Sequence, residues 1–345
     1  MLKVLILTNN QDCHAKVIAE GLTKKGALAI QWFPEEYLLN QKSHQSITSK
    51  GEHFITIQSN KTINLCDIDV VWDRRSRFPI VPQTIDPLDQ KFIETENRLH
   101  MKSLWLTLGE TAKWINPLHS VDKSNSKIFQ LREAARIGLI IPKTIITNDK
   151  EAIIEFIELN LPHGPLYKTF SPAHWKVNDV VYGCYSTAIT PHMLSSEVCM
   201  ALTPGIYQKI VKKRFEVRIT FFKNEYIAVK IHNSEELDWR ILNNSPKFKL
   251  SPIKIPLDIE NKCISLMQSL GIVFGCFDFI VTPSDEYVFL EVNPMGQFLW
   301  IEEILPALKL ADKFCEFLLT SESKRQVEMS NSNTVSLKEI VESTP

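Results

Sequence analysis

The stretch FDFIVTPSDEYVFLEVNP, Phe277–Pro294, decides how the rest of the chain is read. It divides into two strand-like arms joined by a tight turn. Side chains alternate faces along a strand, so Phe289, Glu291 and Asn293 are expected on one face of the second arm and Val288, Leu290 and Val292 on the other. On the first arm Asp278 shares a face with Cys276 and Ile280. A turn centred on Ser284 and Asp285 sets Asp278 directly opposite Glu291. Two carboxylates so placed repel each other. A cation between them removes the conflict, and Asn293 adds a neutral oxygen beside it. Hard oxygen donors of this kind suit Mg²⁺, above all Mg²⁺ carried on phosphates. An exposed hairpin whose charges face water is the plainer alternative.

Outward from this hairpin the chain reads as mixed α and β. Lys3–Thr8 is an apolar strand, the segment after Asp12 a helix ending near Gly26, and Ala29–Phe33 a second strand; this βαβ opening favours a parallel sheet. No glycine-rich phosphate loop follows the first strand, so a Rossmann dinucleotide site is unsupported. Residues 45–58 read as a hairpin turned at Lys50-Gly51, and a strand runs into Asp73, Arg74 and Arg75. A polar helix is expected over 86–109. Beyond WINP, 114–117, Asp122 or Ser124 is a candidate cap for a helix whose apolar side is Ile128, Leu131, Ala135 and Ile137, stopped by Gly138. Further helices are expected near 149–159, 258–270 and 305–319. Strands are expected at PLYKTF, 165–170, and across GIYQKIVKKRFEVRITFFKNEYIAVKI.

The 345 residues suffice for two or three domains. A formal net charge of −1 gives no basic field for nucleic acid or an anionic membrane. Seven dispersed cysteines without a CxxC pair suggest reduced thiols and no zinc site. MLKVLILTNN is too short an apolar run for a signal peptide, so a soluble, cytoplasmic protein is expected.

Asp278 with Glu291-Val-Asn293-Pro resembles the metal signature of ATP-grasp ligases. In order along 114–320, INPLHSVDKSNSKIFQLREAARIGLIIPKTIITN, PLYKTF, IYQKIV and FEVRITFF resemble that family's other segments. VVWDRR, PKTIITND and EVNPMGQFLWIE are similar to the graspetide branch, the microviridin-type (MvdD-like) peptide maturases. The resemblance implies an α/β (α+β) ATP-grasp fold behind an N-terminal α/β pre-ATP-grasp domain. The implied divisions are a pre-ATP-grasp domain at 1–115, a central subdomain at 116–205, a metal-bearing subdomain at 206–320 and a flexible tail at 321–345, within which SLKEIV reads as a short helix.

The resemblance also implies a function. Its members use ATP and Mg²⁺ to phosphorylate Asp or Glu side chains of a ribosomal precursor peptide. Ser, Thr or Lys of the same peptide then closes an ω-ester or ω-amide ring. The implied partners are that peptide, with its leader and core, and a second copy of the chain. Residue by residue, Lys127 and Lys168 contact phosphates. Gln208, Lys209 and Ile210 form the adenine hinge, and Glu216 orients Arg218 or meets the ribose. Arg218 and Arg240 hold the γ-phosphate and the acyl phosphate, with Asp278, Glu291 and Asn293 as metal ligands. The segment 171–190, with His174, Trp175 and Tyr182, is assigned to peptide contact. It departs from the family in carrying only Gly183 where a glycine-rich loop is usual. Arg74 and Arg75 suit an acidic peptide, a surface pair or an interdomain salt bridge, and stay outside the site. The rival readings are a RimK- or glutathione-synthetase-like ligase and an inactive peptide-binding relative.

Overall fold

The computed structural model describes all residues except 37, 39–40, 50, 59–60, 171–173, 179, 184–185, 233–235, 240–247, 321–335 and 344–345; side chains at 52–58, 61, 174–177, 180–183, 339 and 342–343 also lie outside the description. The chain opens with β1 (Lys3–Leu7), the helix Cys13–Lys24 and β2 (Leu28–Trp32). Asp12 caps that helix by accepting from the His14 and Ala15 amides, which satisfies donors that have no intrahelical partner. The antiparallel strands β3 (Gln41–Thr48), β4 (Gly51–Gln58) and β5 (Lys61–Asn64) extend the expected hairpin to a three-stranded sheet. β6 (Val70–Asp73), the helix Pro87–Thr111 and β7 (Lys113–Ile115) complete a parallel sheet of order β2-β1-β6-β7.

The middle of the chain forms a second sheet of order β12-β9-β13-β8, from β8 (Thr144–Thr147), β9 (Pro165–Lys168), β12 (Thr187–Ala188) and β13 (Gly205–Lys209). Between β9 and β12, β10 (His174–Val177) and β11 (Val180–Gly183) pair as a separate hairpin. The third sheet, of order β16-β15-β14-β17-β18, is antiparallel and comprises β14 (Phe215–Phe222), β15 (Glu225–Ile231), β16 (Leu250–Pro252), β17 (Phe274–Val281) and β18 (Tyr287–Asn293). The helix Leu257–Leu270 covers one face. It buries Ile259, Cys263, Leu266, Met267 and Leu270, one side at helical spacing, and ends at Gly271 in the left-handed region, φ 74°.

Asp278 does pair with Glu291, although not through a turn centred on Ser284 and Asp285. Val281 pairs with Tyr287 and Phe279 with Phe289, so the turn is centred on Ser284; a bulge between Phe279 and Asp278 then inserts Leu290 and restores Glu291 opposite Asp278. The bulge changes the faces. Phe289 and Val292 both enter the core against the helix Leu257–Leu270, while Leu290, Glu291 and Asn293 line a cleft on the other side. The expected face shared by Phe289 and Glu291 is therefore split.

One core joins the first sheet to the end of the chain. Val4, Ile6, Val70 and Trp72 pack with Phe222, Phe274, Phe298 and Phe314, and with Leu337 and Ile340 of the helix Leu337–Ser343. That helix lies inside the expected flexible tail. It is anchored because the buried Glu302 accepts the amides of Ala311 at 2.7 Å and Leu337 at 3.1 Å. The helix expected near 305–319 is found as Leu310–Thr320, after a 3₁₀ turn at Pro306–Leu308, and a further helix, Leu299–Ile304, precedes both. Pro306, which lacks an amide hydrogen, starts the turn.

Candidate active site

β14 is buried along its whole length because it has a packed layer on each side. Phe215, Val217, Ile219 and Phe221 face the helix-covered core. Alternation sends Glu216 and Arg218 to the opposite face, where they line a cleft with Asp278, Glu291 and Asn293 of the neighbouring strands. Lys168, Gln208 and Lys209 reach the same cleft from the second sheet. Eight of the eleven residues singled out by sequence thus line one cavity between two sheets.

Its centre is a charge network. Arg218 Nη1 donates to Asp278 Oδ2 at 2.6 Å, and Nη2 donates to the Gln297 carbonyl at 3.0 Å. Burial opposes the guanidinium charge, but Asp278 and, farther off, Glu291 hold its pKa above the ordinary arginine value. Arg218 Nε is buried without a hydrogen-bond partner among the described residues. A guanidinium fork suits a phosphoryl group. The cross-strand ion pair is therefore real and still leaves donor capacity. Glu216, given an orienting role, is held by Lys213 Nζ at 2.7 Å.

The proposed metal ligands offer two carboxylates and an amide oxygen. Asn293 Oδ1 accepts the amides of Met295 at 3.0 Å and Gly296 at 3.1 Å, which fixes the side chain at the strand end. Gly296 has φ +61°, and a Cβ there would stand 2.6 Å from the Phe274 ring. The edge of β18 is pinned by the buried Gln130: Nε2 donates to the Val292 carbonyl at 2.8 Å and Oε1 accepts the Val292 amide at 2.9 Å. No cluster of three or more His, Cys, Asp or Glu suited to a metal occurs among the described residues. The opposed carboxylates and Asn293 fit Mg²⁺ better than a softer ion, since hard oxygens suit it and phosphates can complete its shell.

Lys168 donates to Gln208 Oε1 at 2.7 Å, and Gln208 Nε2 donates to Thr144 Oγ1 at 3.1 Å. Gln208 is interior to a strand paired on both edges, so its backbone is committed to the sheet and its side chain instead holds the lysine. The Lys209 amide likewise bonds the Lys143 carbonyl at 2.8 Å. Beyond this amide Val211, rather than Ile210, lines the cleft. Lys127 opens the helix Lys127–Arg136, capped by Ser126 rather than Ser124 or Asp122. Its Nζ donates to the Thr169 carbonyl at 2.9 Å, one residue beyond Lys168. The helix buries Gln130, Leu131, Glu133 and Ala134, whereas Ile128 is 44% exposed, so its inner face is rotated from the expected one.

Arg240 lies outside the described residues, as do the side chains of His174, Trp175 and Tyr182. Sequence reasoning took Asp238 only as a local partner of Arg240 or an exposed side chain and passed over Trp239, Gln297 and Trp300; all four line the cleft. The two indoles stack at 4.7 Å, and Trp300 Nε1 donates to the Gln297 carbonyl that also holds Arg218. The available signal was an adjacent acid and indole at 238–239. Arg74 is 1% exposed, 3.4 Å from Asp12 Oδ2, so it is an internal contact rather than a surface for peptide.

This arrangement is the ATP-grasp fold: two β-sheets enclosing a cleft lined by cationic side chains and by carboxylate and amide oxygens. Residues 3–122 match the family model of the MvdD pre-ATP grasp domain. Three similar solved structures extend the likeness over the chain. Macrocyclase MdnB from Microcystis aeruginosa MRC is 25% identical, with TM-score 0.78 over 93% of this chain and 100% of that one. Macrocyclase MdnC from the same organism, bound with precursor peptide MdnA, is 24% identical, with TM-score 0.82 and the same coverage. A RiPP-associated ATP-grasp ligase from Chryseobacterium gregarium, in complex with ADP and a leader and core peptide, is 24% identical, with TM-score 0.83 over 95% and 100%. A search of curated proteins finds no match. The chain thus has the ATP-grasp ligase fold, opens with an MvdD-type pre-ATP-grasp domain, and resembles the maturases of ribosomal peptides within that fold.

Proposed function

We propose that this chain is an ATP- and Mg²⁺-dependent ligase that closes rings in a ribosomal precursor peptide. The carrying observation is the convergence of Lys168, Glu216, Arg218, Asp278, Glu291 and Asn293 on one cleft. The fold shared with peptide macrocyclases supports the substrate class. Lys168 lies where it can neutralise phosphate oxygens, steered by Gln208. Arg218 lines the same cleft, where its guanidinium suits the transferred phosphoryl group. Asp278, Glu291 and Asn293 would hold Mg²⁺, which would supply positive charge against the phosphate oxygens of ATP.

A carboxylate is a poor acyl donor at neutral pH, so activation comes first. An Asp or Glu oxygen of the peptide attacks the γ-phosphorus, and ADP leaves. A Ser or Thr oxygen or a Lys nitrogen then attacks the acyl carbon, losing its proton, and phosphate leaves. Positioning of both peptide groups supplies much of the rate. We assign 1–115 to the pre-ATP-grasp domain, 116–205 to the central subdomain and 206–320 to the metal-bearing one. A homodimer belongs to the same reading. The exposed stripe Leu88, Phe92, Leu99 and Leu106 on the helix Pro87–Thr111 supports an apolar contact between copies.

The test is the intact mass of a candidate precursor after incubation with enzyme, ATP and Mg²⁺. Loss of one water per bond is expected. A gain matching an added amino acid would replace this reading with a RimK-like one.

A further inference from the structure

The loop that follows β18 is held largely by the other end of the chain. Asn116 Nδ2 donates to the carbonyls of Pro294 and Phe274, each at 2.8 Å, while Oδ1 accepts the amides of Val273 at 2.8 Å and Phe274 at 2.9 Å. His14 Nε2 accepts the amides of Phe298 and Leu299, each at 3.2 Å. Arg74 Nη1 reaches the Met295 carbonyl at 3.5 Å. These contacts bracket a short loop. The residue before it, Asn293 at the end of β18, is a proposed metal ligand, and the loop's Gln297 carbonyl anchors Arg218.

We infer that His14 and Asn116, both from the segment matching the pre-ATP-grasp domain, are positioning residues for the metal and phosphate site. Neither lines the cleft; each acts by fixing the backbone between Asn293 and Leu299. The first segment of the chain thereby supplies part of the catalytic geometry, and a loosened contact there reaches Asn293 and Arg218 through one loop. His14 does this only as an acceptor, so Nδ1 carries its proton. Burial, with help from Arg74, lowers its pKa to about 3 and keeps Nε2 unprotonated at neutral pH.

This inference rests on the ligase reading, and the experiment separates the two. His14→Ala, His14→Gln and Asn116→Ala are made in the full chain. Metal-free ADP binding is measured by calorimetry, and Mn²⁺ binding to the ADP complex by electron paramagnetic resonance. Folded alanine variants are expected to bind metal-free ADP within about threefold of wild type and to bind Mn²⁺ at least tenfold more weakly, because the adenine contacts lie on the other sheet. His14→Gln, whose Oε1 accepts, should recover part of the Mn²⁺ affinity. Unchanged Mn²⁺ affinity in folded His14→Ala would overturn the inference, as would a parallel loss of ADP and Mn²⁺ binding. If Asn116→Ala fails to fold, the His14 pair alone decides. A folded wild-type chain that binds no ADP would instead sink the ligase reading.

Discussion

Replacing Gln130 with leucine tests whether the bulged edge of β18 sets the metal site. Gln130 is 3% exposed. Its amide makes three hydrogen bonds: to the Ser124 carbonyl at 2.5 Å and to the Val292 carbonyl and amide at 2.8 and 2.9 Å. Leucine keeps most of the volume and none of these bonds. Each buried backbone group left unpaired costs about 1–3 kcal/mol. Partial relaxation of three such groups gives a loss of about 3–5 kcal/mol. Val292 lies between Glu291 and Asn293, so register should loosen where the proposed ligands sit. Urea unfolding would read the stability, and a Mg²⁺ titration of ATP turnover the site. Gln130→Leu should shift the urea midpoint down and raise the Mg²⁺ concentration for half-maximal turnover at least fivefold. A stability change below about 1 kcal/mol with unaltered Mg²⁺ dependence would refute the reasoning, because the edge would then hold itself.

Glu291→Gln should remove turnover at least a hundredfold while keeping the unfolding midpoint near wild type; activity within threefold of wild type would exclude Glu291 as a metal ligand. Asp278→Asn should also abolish turnover but cost about 3 kcal/mol of stability, since it strips the charge from the buried partner of Arg218; an unchanged urea midpoint would contradict that coupling. His14 has a folded pKa of about 3 against 6.5 unfolded, so the unfolded chain takes up the proton first as pH falls. The stability His14 lends is intact above about pH 6.5 and declines towards pH 3, by about 3 kcal/mol at pH 4.5. Wild type should therefore lose about that much more than His14→Gln between pH 7 and 4.5, and equal losses in urea titrations would be inconsistent with a buried neutral imidazole. Gly296→Ala forces a Cβ into the Phe274 ring at a positive φ and should lower stability by about 2–4 kcal/mol; a calorimetric melting temperature equal to wild type would show the loop to be freer than described.

The sequence alone was enough for the main strands and helices around the cleft and for most of the charged residues that line it. Apolar alternation in Phe274–Val281 and Tyr287–Asn293, and helical spacing in Leu257–Leu270, are local signals that each segment carries by itself. The carboxylates Asp278 and Glu291 and the strand arginine Arg218 are conspicuous because charge on an otherwise apolar strand needs a partner. Their joint resemblance to ATP-grasp segments then set the class.

Tertiary structure decided where each group points. The Leu290 bulge turned Phe289 into the core and kept Glu291 opposite Asp278, with Gln130 and Ile140 bonded along the strand edge. Pairing on both edges of β13 committed the Gln208 backbone to the sheet and left its side chain to hold Lys168. Arg74, which the sequence left between an acidic-peptide contact, a surface pair and an interdomain salt bridge, became an internal contact beside Asp12. Leu337 and Ile340, in a segment whose composition suggests a loose tail, found apolar partners more than 300 residues earlier. Composition and periodicity describe a segment's own preferences. Register, buried polar pairing and long-range docking are fixed by groups distant in sequence, and only the folded chain brings those groups together.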